Sequence, residues 1–271
     1  MISERVRIAR TIATAAAGTA ASWQHRAGLK SRSKADGSVV TDADLATEEH
    51  VRKLLAEYCP GEHVVGEEFG GRSQDSADCW IVDPIDGTEN FRRGSPFWGV
   101  LLAWQSTGAV AAAAVVAPAM GRNWWAGRGE GAFTDGDRRL EVSTIAELNE
   151  SAFCFGGAHE YGHVEVQRLA AFAAGCRTAW GIGNFAGHLQ VAEGISDGAL
   201  SVDASIWDLA APALIVAEAG GRWSDVAGKS DLHTGSLLSA NPSIHPALLA
   251  GIGTALRPTT EEAARCGLSE D

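Results

Sequence analysis

Apolar residues near the start of the chain recur at helical spacing. Ile2, Val6, Ala9, Ala13 and Ala16 fall on one face of a helix, which predicts a first helix here. The same segment carries three arginines and an Ala-rich run, as a signal peptide does, but its centre is rich in Ala and Thr rather than Leu. We therefore favour a helix of the folded protein over a signal peptide.

A second helix is predicted over 41–58. Thr41 and Asp44 have the spacing of a capping box, in which two side chains satisfy the free backbone N–H groups at a helix start. Val51 and Leu55 then follow at helical spacing. The capping box places the helix start at Thr41, and the apolar spacing supports its continuation.

From Trp80 to Ala126 the pattern changes to short apolar runs separated by Gly, Ser and Pro. Such runs are typical of strands joined by tight turns. They predict a sheet with antiparallel pairing, built from WIVD, WGVLLAW, AVAAAAVVAP and RNWWAG.

The second half of the chain alternates helical and strand-like runs. Helices are predicted near 164–174 and 185–193, and a third should begin at about Trp207 to Leu209, because Pro212 is tolerated only near a first turn. The polar stretch from Glu141 suggests a join, so we predict an N-terminal α+β half over 1–145 and a C-terminal α/β half over 146–271. The class is mixed α and β, with helix layers on sheets.

Composition limits the partners. The 271 residues are 45% hydrophobic and carry a formal net charge of −12, which argues against nucleic acid or an anionic membrane as partner. No apolar run approaches the roughly 20 residues that span a bilayer. Five cysteines without CxxC spacing indicate reduced thiols and a cytoplasmic protein.

The stretch WIVDPIDGTENF carries the first candidate chemistry. Asp83 closes an apolar strand, Pro84 should start a turn, and Asp86 should return toward the same point. Two carboxylates at one place favour a shared cation, and oxygen ligands suit Mg²⁺. Gly87 and Thr88 then offer backbone N–H groups at a helix start, which suit a phosphate.

Other acidic residues repeat this arrangement. Glu67 and Glu68 follow a short strand and a glycine, and Asp208 lies at the start of an apolar helix. Each has an ordinary structural interpretation as well: adjacent glutamates usually face solvent, and Asp208 and Asp44 are good helix caps. Their combination is more informative than any one of them.

Two rival motifs point to other hydrolases. HEYGH, with His159, Glu160 and His163, matches the HExxH pattern of zinc peptidases, but neighbouring glycines disfavour the helix that this chemistry needs. GISDG matches the nucleophile elbow around Ser196, but it follows a helix-like segment instead of a strand. A polar loop is the better interpretation of the first motif.

Three segments together resemble a known family. GEEFG, WIVDPIDGTENF and WDLAAPALIVAEAGG are similar, in order and spacing, to motifs of the inositol monophosphatase family of Mg²⁺-dependent, lithium-sensitive phosphatases. VVTDAD and GRGEGAF extend the resemblance over nearly the whole chain, which looks most like the bacterial histidinol-phosphate phosphatase branch. The resemblance implies a layered αβαβα sandwich of the inositol monophosphatase/fructose-1,6-bisphosphatase type, a homodimer, and hydrolysis by direct attack of water.

The resemblance also implies roles for particular residues. Two to three Mg²⁺ ions are expected. One would be held by Glu67, Asp83 and the Ile85 carbonyl, a second by Asp83, Asp86 and Asp208, and a looser third near Glu67. Thr88, hydrogen-bonded to Asp44, would orient the attacking water. Substrate contacts are expected from Gly87, Thr88, Glu89, Asn184, Ser201, Asp203 and Asp208.

The resemblance implies a small phosphorylated metabolite as substrate, with histidinol phosphate first among the alternatives. Ser201 and Asn184 stand where relatives commonly have acidic residues, so a cationic substrate group would depend on Asp203 or Glu89. Inositol phosphate, a nucleotide, or an aminosugar or aminonucleoside phosphate of a specialised pathway remain open. Trp124, Trp125 or Trp180 could stack on a substrate ring.

Overall fold

A computed structural model describes residues 3–24, 26, 29–34, 39–71, 78–157 and 161–256. The helices in these residues are α1 Glu4–Gln24, α2 Asp42–Tyr58, α3 Thr88–Arg92, α4 His163–Ala173, α5 Asn184–Ala192, α6 Ile206–Glu218 and α7 His245–Leu256. The strands are β1 Ser31–Ser33, β2 Val39–Thr41, β3 His63–Gly66, β4 Cys79–Asp86, β5 Gly99–Ser106, β6 Ala109–Ala117, β7 Arg122–Gly127, β8 Gly131–Thr134, β9 Arg138–Arg139, β10 Ala152–Phe155, β11 Thr178–Trp180, β12 Gly198–Ser201, β13 Arg222–Ser224 and β14 Leu237–Ala240.

These elements form five layers. Helices α1 and α2 pack on one face of a seven-stranded sheet of order β3-β4-β5-β6-β7-β8-β9, and α6 packs on its other face. Helices α5 and α6 contact each other and a five-stranded sheet of order β11-β10-β12-β14-β13, while α4 and α7 pair beyond that sheet. The predicted αβαβα sandwich is confirmed.

Helices α1 and α2 follow their predicted patterns. The buried face of α1 includes Val6, Ala9, Ala13 and Ala16, as expected from their spacing. Helix α2 begins after Thr41 with both hydrogen bonds of the predicted capping box. Among the described helices, none is long and apolar enough to cross a membrane.

Strand β4 differs from its prediction. It does not turn at Pro84 but continues through Asp86, with an irregularity in its pairing to β5 between Asp83 and Asp86. A bulge of this kind bends a strand and redirects its side chains. The redirection, rather than a turn, brings the second aspartate back toward the first.

Helix α6 also differs from its prediction. It begins at Ile206, one residue before the predicted range of Trp207 to Leu209, so Pro212 is its seventh residue and lies in the second turn. Pro212 has no N–H to donate to the carbonyl of Asp208. The eight consecutive residues Leu209–Val216 are buried, so packing between two sheets stabilises the helix despite the proline.

The strands of the seven-stranded sheet lie within 63–139, and those of the five-stranded sheet lie within 152–240. The division of the chain at 145/146 stays a prediction. Trp124 and Trp125 are buried in β7 and contribute to the core, so the idea that they stack on a substrate ring is wrong. Trp180 in β11 is partly exposed.

Candidate active site

Three aspartates meet where β4 and α6 come together. Asp83 and Asp86 lie on the last part of β4, and Asp208 lies in the first turn of α6. One carboxylate oxygen from each lies within 4.8 Å of the others. We call these three residues the aspartate cluster. The sequence predicted all three as metal ligands, and the fold brings them together.

Backbone N–H groups hold each carboxylate of the cluster in place. The second oxygen (Oδ2) of Asp208 accepts the Ser205 N–H at 2.6 Å, and that of Asp86 accepts the Phe185 N–H at 2.7 Å at the start of α5. Asp83 accepts the Ile85 N–H at 2.9 Å across the bulge. Asp208 therefore both caps its helix and faces the cluster, the two roles that the sequence left open.

The aspartate cluster brings carboxylates of like charge close together. Burial raises the pKa of Asp83 well above its usual range, and the charges of Glu67, Asp86 and Asp208 raise it further. Close carboxylates repel one another unless a shared proton or a cation lies between them. An all-oxygen set of this kind fits a hard divalent cation, so the residues present suit a metal ion.

Glu67, the predicted fourth acidic ligand, has a cationic partner. The ammonium group of Lys34 lies 2.7 Å from a carboxylate oxygen of Glu67 and 2.7 Å from one of Glu68. Burial alone would lower the pKa of Lys34, but these two hydrogen bonds raise it. The sequence analysis missed Lys34, because nothing in a polar loop about 33 positions upstream signals this contact.

A second missed residue, Glu48, contacts the backbone of the loop that carries Glu67 and Glu68. Glu48 in α2 is fully buried, and its carboxylate accepts the N–H groups of Glu68 and Phe69 at 2.7 and 3.2 Å. A side chain at Gly66 would collide with it, since an added Cβ would lie 2.0 Å from its nearest oxygen. One signal was available: Glu48 lies one helical turn after Asp44 on the face that also carries Val51.

Thr88 and Asp44 are in contact, as the sequence predicted. The Thr88 hydroxyl lies 3.1 Å from one oxygen of Asp44 and 3.2 Å from the Ile85 carbonyl. The other oxygen of Asp44 accepts the N–H and hydroxyl of Thr41. Burial raises the pKa of Asp44 to about 6, although the bonds from Thr41 lower it. Asp44 thus fixes the hydroxyl beside the aspartate cluster.

Gly87 lies between β4 and α3 in a left-handed conformation, with φ of 87°. An added Cβ there would lie 2.7 Å from both the side-chain amide of Asn184 and the carbonyl of Phe97. The Asn184 amide donates to that carbonyl at 3.0 Å, and its oxygen accepts the Ala186 N–H at 3.1 Å. Asn184 therefore lies beside the predicted phosphate-binding backbone, with its polar atoms bonded within the protein.

Two other predicted substrate contacts, Glu89 and Ser201, have internal partners too. Glu89 forms ion pairs with Arg92 and Arg93, whose hydrogen bonds lower its pKa to about 2. Ser201 is hydrogen-bonded to the buried ring of His188 at 2.9 Å. We call Glu89, Asn184 and Ser201 the substrate-side residues. Asp203 is exposed, in a left-handed conformation with φ of 53°.

His188 keeps Ser201 in a neutral environment. Its other ring nitrogen lies 2.7 Å from the Ser239 hydroxyl, so both nitrogens are bonded to hydroxyl groups. Complete burial lowers the pKa of His188 to about 3. The ring is therefore uncharged at neutral pH and supports the neutral hydroxyl group of Ser201.

Neither rival motif forms a site among the described residues. His159 and Glu160 of HEYGH lie outside them, and His163 is the first residue of α4. Ser196 of GISDG is completely buried and bonded to Gln190 and Cys154, so a substrate does not reach it.

Comparisons with known proteins agree with this geometry. The chain is 41% identical over 228 residues to a histidinol-phosphatase of Mycobacterium tuberculosis, covering 82% of this chain and 87% of the relative. It is 36% identical over 228 residues to an inositol-1-monophosphatase of Mesorhizobium japonicum, covering 81% and 84%. The extragenic suppressor protein suhB from Bartonella henselae superposes with a TM-score of 0.83 at 29% identity, covering 92% and 98%.

A layered sandwich with a buried acidic cluster, and relatives that are phosphatases, define this protein as a phosphoric monoester hydrolase. The model of the inositol monophosphatase family matches residues 1–257. The chain belongs to that family, in which metal dependence is a shared property.

Proposed function

We propose that this protein hydrolyses a small phosphomonoester with Mg²⁺ as cofactor. The observation that carries the proposal is the cluster of Asp83, Asp86 and Asp208, two of them buried and the third half-buried, whose like charges favour a shared cation. These three residues, with Glu67 and the Ile85 carbonyl, would hold two to three ions. When bound, the ions supply Lewis-acid stabilisation of the negative charge on the phosphoryl oxygens.

The protein's own groups would position the water. The Thr88 hydroxyl donates its proton to Asp44 or the Ile85 carbonyl, which leaves an oxygen lone pair free to accept a hydrogen bond from water. A water held there would lie beside the cluster and point its own lone pair at the phosphorus. The backbone N–H groups of Gly87 and Thr88 would bind phosphate oxygens. Direct attack by water needs no covalent intermediate.

Histidinol phosphate is the first candidate substrate. Its support is the 41% identity to the relative from Mycobacterium tuberculosis, which is named a histidinol-phosphatase. Asp203, exposed and close in sequence to Ser201, would pair with the ammonium group of that substrate.

A second candidate is a phosphomonoester without an ammonium group, such as an inositol phosphate or a nucleotide. The substrate-side residues favour it, because Asn184 and Ser201 are neutral and the charge of Glu89 is compensated by two arginines. An ammonium group would find no uncompensated carboxylate among these three residues. An aminosugar or aminonucleoside phosphate would again depend on Asp203.

The test is phosphate release by the purified protein, with and without Mg²⁺. The substrates are histidinol phosphate, inositol monophosphate, AMP and an aminonucleoside 5′-phosphate. We expect release only with Mg²⁺ and a preference for one ester. Equal release in the presence of a chelator would contradict the metal assignment, and release from none of the four would contradict the proposed activity.

We also propose a cytoplasmic homodimer that lithium inhibits. The support is the family relationship and the free thiols of Cys59, Cys79, Cys154 and Cys176. The net charge of −12 supports small metabolites, rather than nucleic acid or membranes, as partners. Light scattering checks the oligomeric state, and a lithium titration of phosphate release checks the inhibition.

A further inference from the structure

A cavity of about 620 Å³ lies away from the aspartate cluster. Its walls are the C-terminal half of α6, the turn between β5 and β6, and the loop that precedes β14. Ile206 lines it, although Asp208 is only two residues further on; two residues correspond to a rotation of about 200° around a helix. Asp208 therefore lies on the opposite side of α6, and the cavity is separate from the catalytic site.

The floor of the cavity is apolar. Ala213 and Leu214 of α6 and Val110 of β6 are buried there, and Trp223 and Leu232 are half-buried beside them. A volume of this size lies within the range of small-molecule sites, roughly 300–1,000 Å³. An apolar floor with one indole ring suits an aromatic or large aliphatic group.

Charged groups of both signs line the same cavity. Arg128 donates to the Val110 carbonyl from Nε, at 3.1 Å, and also from Nη2, and its Nη1 group retains N–H donors. Asp231 accepts the His233 N–H through one oxygen, and carboxylates have a second. Glu218 accepts the N–H groups of Gly129 and Gly131 at 2.8 and 2.9 Å, which fixes the turn that carries Arg128.

We propose that this cavity binds a zwitterionic, amphipathic small molecule of the α-amino acid class with an aromatic side chain. The side chain would lie on the floor next to Trp223, the carboxylate would meet Arg128, and the ammonium group would meet Asp231. A fixed cation and a fixed anion over an apolar floor are complementary to this arrangement of charges, and a molecule lacking one charge loses one partner.

Four ligands that share an indole ring test the assignment. L-Tryptophan carries both charges, indole-3-propionate lacks the ammonium group, tryptamine lacks the carboxylate, and indole lacks both. Titration calorimetry without Mg²⁺ or phosphate ester keeps the test independent of the proposed activity. We expect L-tryptophan to bind with a Kd of about 1 mM or tighter, and each lost charge to weaken binding about tenfold.

Variants of the lining residues give a crossed pattern. Arg128→Gln should weaken L-tryptophan and indole-3-propionate but not tryptamine, whereas Asp231→Asn should weaken L-tryptophan and tryptamine but not indole-3-propionate. Ala217→Trp, on the exposed face of α6 at the cavity, should weaken all four at least about tenfold by filling the space. Ala15→Trp on the exposed face of α1 is the matched control and should change nothing.

The outcomes decide the proposal in both directions. No saturable L-tryptophan binding at concentrations up to 10 times the expected value of about 1 mM would overturn it. Binding that Ala217→Trp leaves unchanged would place the ligand elsewhere and would also overturn it. If Ala217→Trp does not fold, the crossed pattern of the two surface charge variants still decides, since a uniform effect of either variant on all ligands contradicts the assigned contacts.

Discussion

The aspartate cluster and the substrate-side residues lie on neighbouring elements but differ in their electrostatics. In the cluster, three like charges converge, and burial together with their repulsion raises the pKa of Asp83. Among the substrate-side residues, Asn184 and Ser201 are neutral, and the charge of Glu89 is balanced within its own helix. The cluster therefore favours binding a cation, while the charges of the substrate-side residues are balanced within the protein.

Because of this difference, the aspartate cluster indicates the reaction class, whereas the substrate-side residues bear on the choice of substrate. Close carboxylates of this kind are typical of sites that bind metal ions or transfer protons, so they indicate the class of reaction. Internally bonded polar groups can change with little effect on the fold, so they identify the substrate weakly. The following predictions test the comparison, beginning with the largest expected effect.

Asp86→Asn removes one charge from the aspartate cluster. Loss of a metal ligand is worth several kcal/mol of transition-state stabilisation, so kcat should fall about 1,000-fold or more. The fold should persist, because the amide oxygen can still accept the Phe185 N–H. Mg²⁺ should no longer raise the Tm of the variant. Asp137→Asn, at an exposed turn, is the control, and near-normal activity of Asp86→Asn would contradict the role of the cluster.

Thr88→Val tests the group that links the cluster to Asp44. Valine has the shape of threonine but no hydroxyl, so the variant loses the bonds to Asp44 and the Ile85 carbonyl. We expect kcat to fall about 100-fold with little change in KM, as for the loss of a group that assists proton transfer. Thr88→Ser should restore most of kcat. An equal loss in both variants would assign Thr88 to packing instead of orientation.

His188→Gln tests the neutral environment of Ser201 through pH. The pKa of His188 is about 3 in the folded protein against about 6.5 when unfolded, so the unfolded state binds the extra proton between these values. His188 should therefore make the folded protein less stable as pH falls below about 6.5, by about 1.4 kcal/mol per pH unit.

Urea unfolding of metal-free protein between pH 6 and pH 4.5 measures this slope. The difference in slope between His188→Gln and wild type removes the contributions that both proteins share. These come from the buried carboxylates and from His245, whose pKa is lowered by burial to about 4. The variant should show a flatter decline than wild type. Parallel curves for the two proteins would mean that His188 is charged or exposed in the folded state.

Asn184→Asp tests the smallest effect, the neutrality of the substrate-side residues. A carboxylate beside Gly87 should raise the ratio of kcat/KM for an amine-bearing ester over inositol monophosphate by about tenfold. It should also cost about 1 kcal/mol of stability, because the bond to the Phe97 carbonyl is lost. Asn90→Asp loses a bond to the same carbonyl and is the control. Equal ratios in both variants would exclude Asn184 as a determinant.

Local sequence patterns predicted the elements of this fold well. The capping box of Thr41 and Asp44, the apolar face of α1 and the strands around the WIVD run all depend on neighbouring residues, and the structure confirms them. The errors concern places where packing overrides local preference. Pro212 is accommodated inside α6 because both faces of that helix are covered, and β4 passes Pro84 because a bulge absorbs the irregularity.

The candidate site was predictable to the extent that its residues form motifs. Asp83, Asp86 and Asp208 could be assigned from spacing and resemblance, and the fold places them together. Lys34, Glu48 and His188 were missed, because the partners described above lie 13 to 51 positions away and depend on how the layers pack. The residues that neutralise or support a site are therefore harder to predict than the residues that carry it.

The position of α6 has a consequence for synthesis on the ribosome. This helix comes from the last third of the chain, yet it covers one face of the seven-stranded sheet that the first half forms. A nascent chain that ends before residue 206 contains Asp83 and Asp86 but lacks Asp208. It also lacks α6, so this helix does not yet cover that face of the sheet. Catalytic competence therefore arises late in translation, and until then the growing polypeptide depends on its surroundings to protect that apolar face.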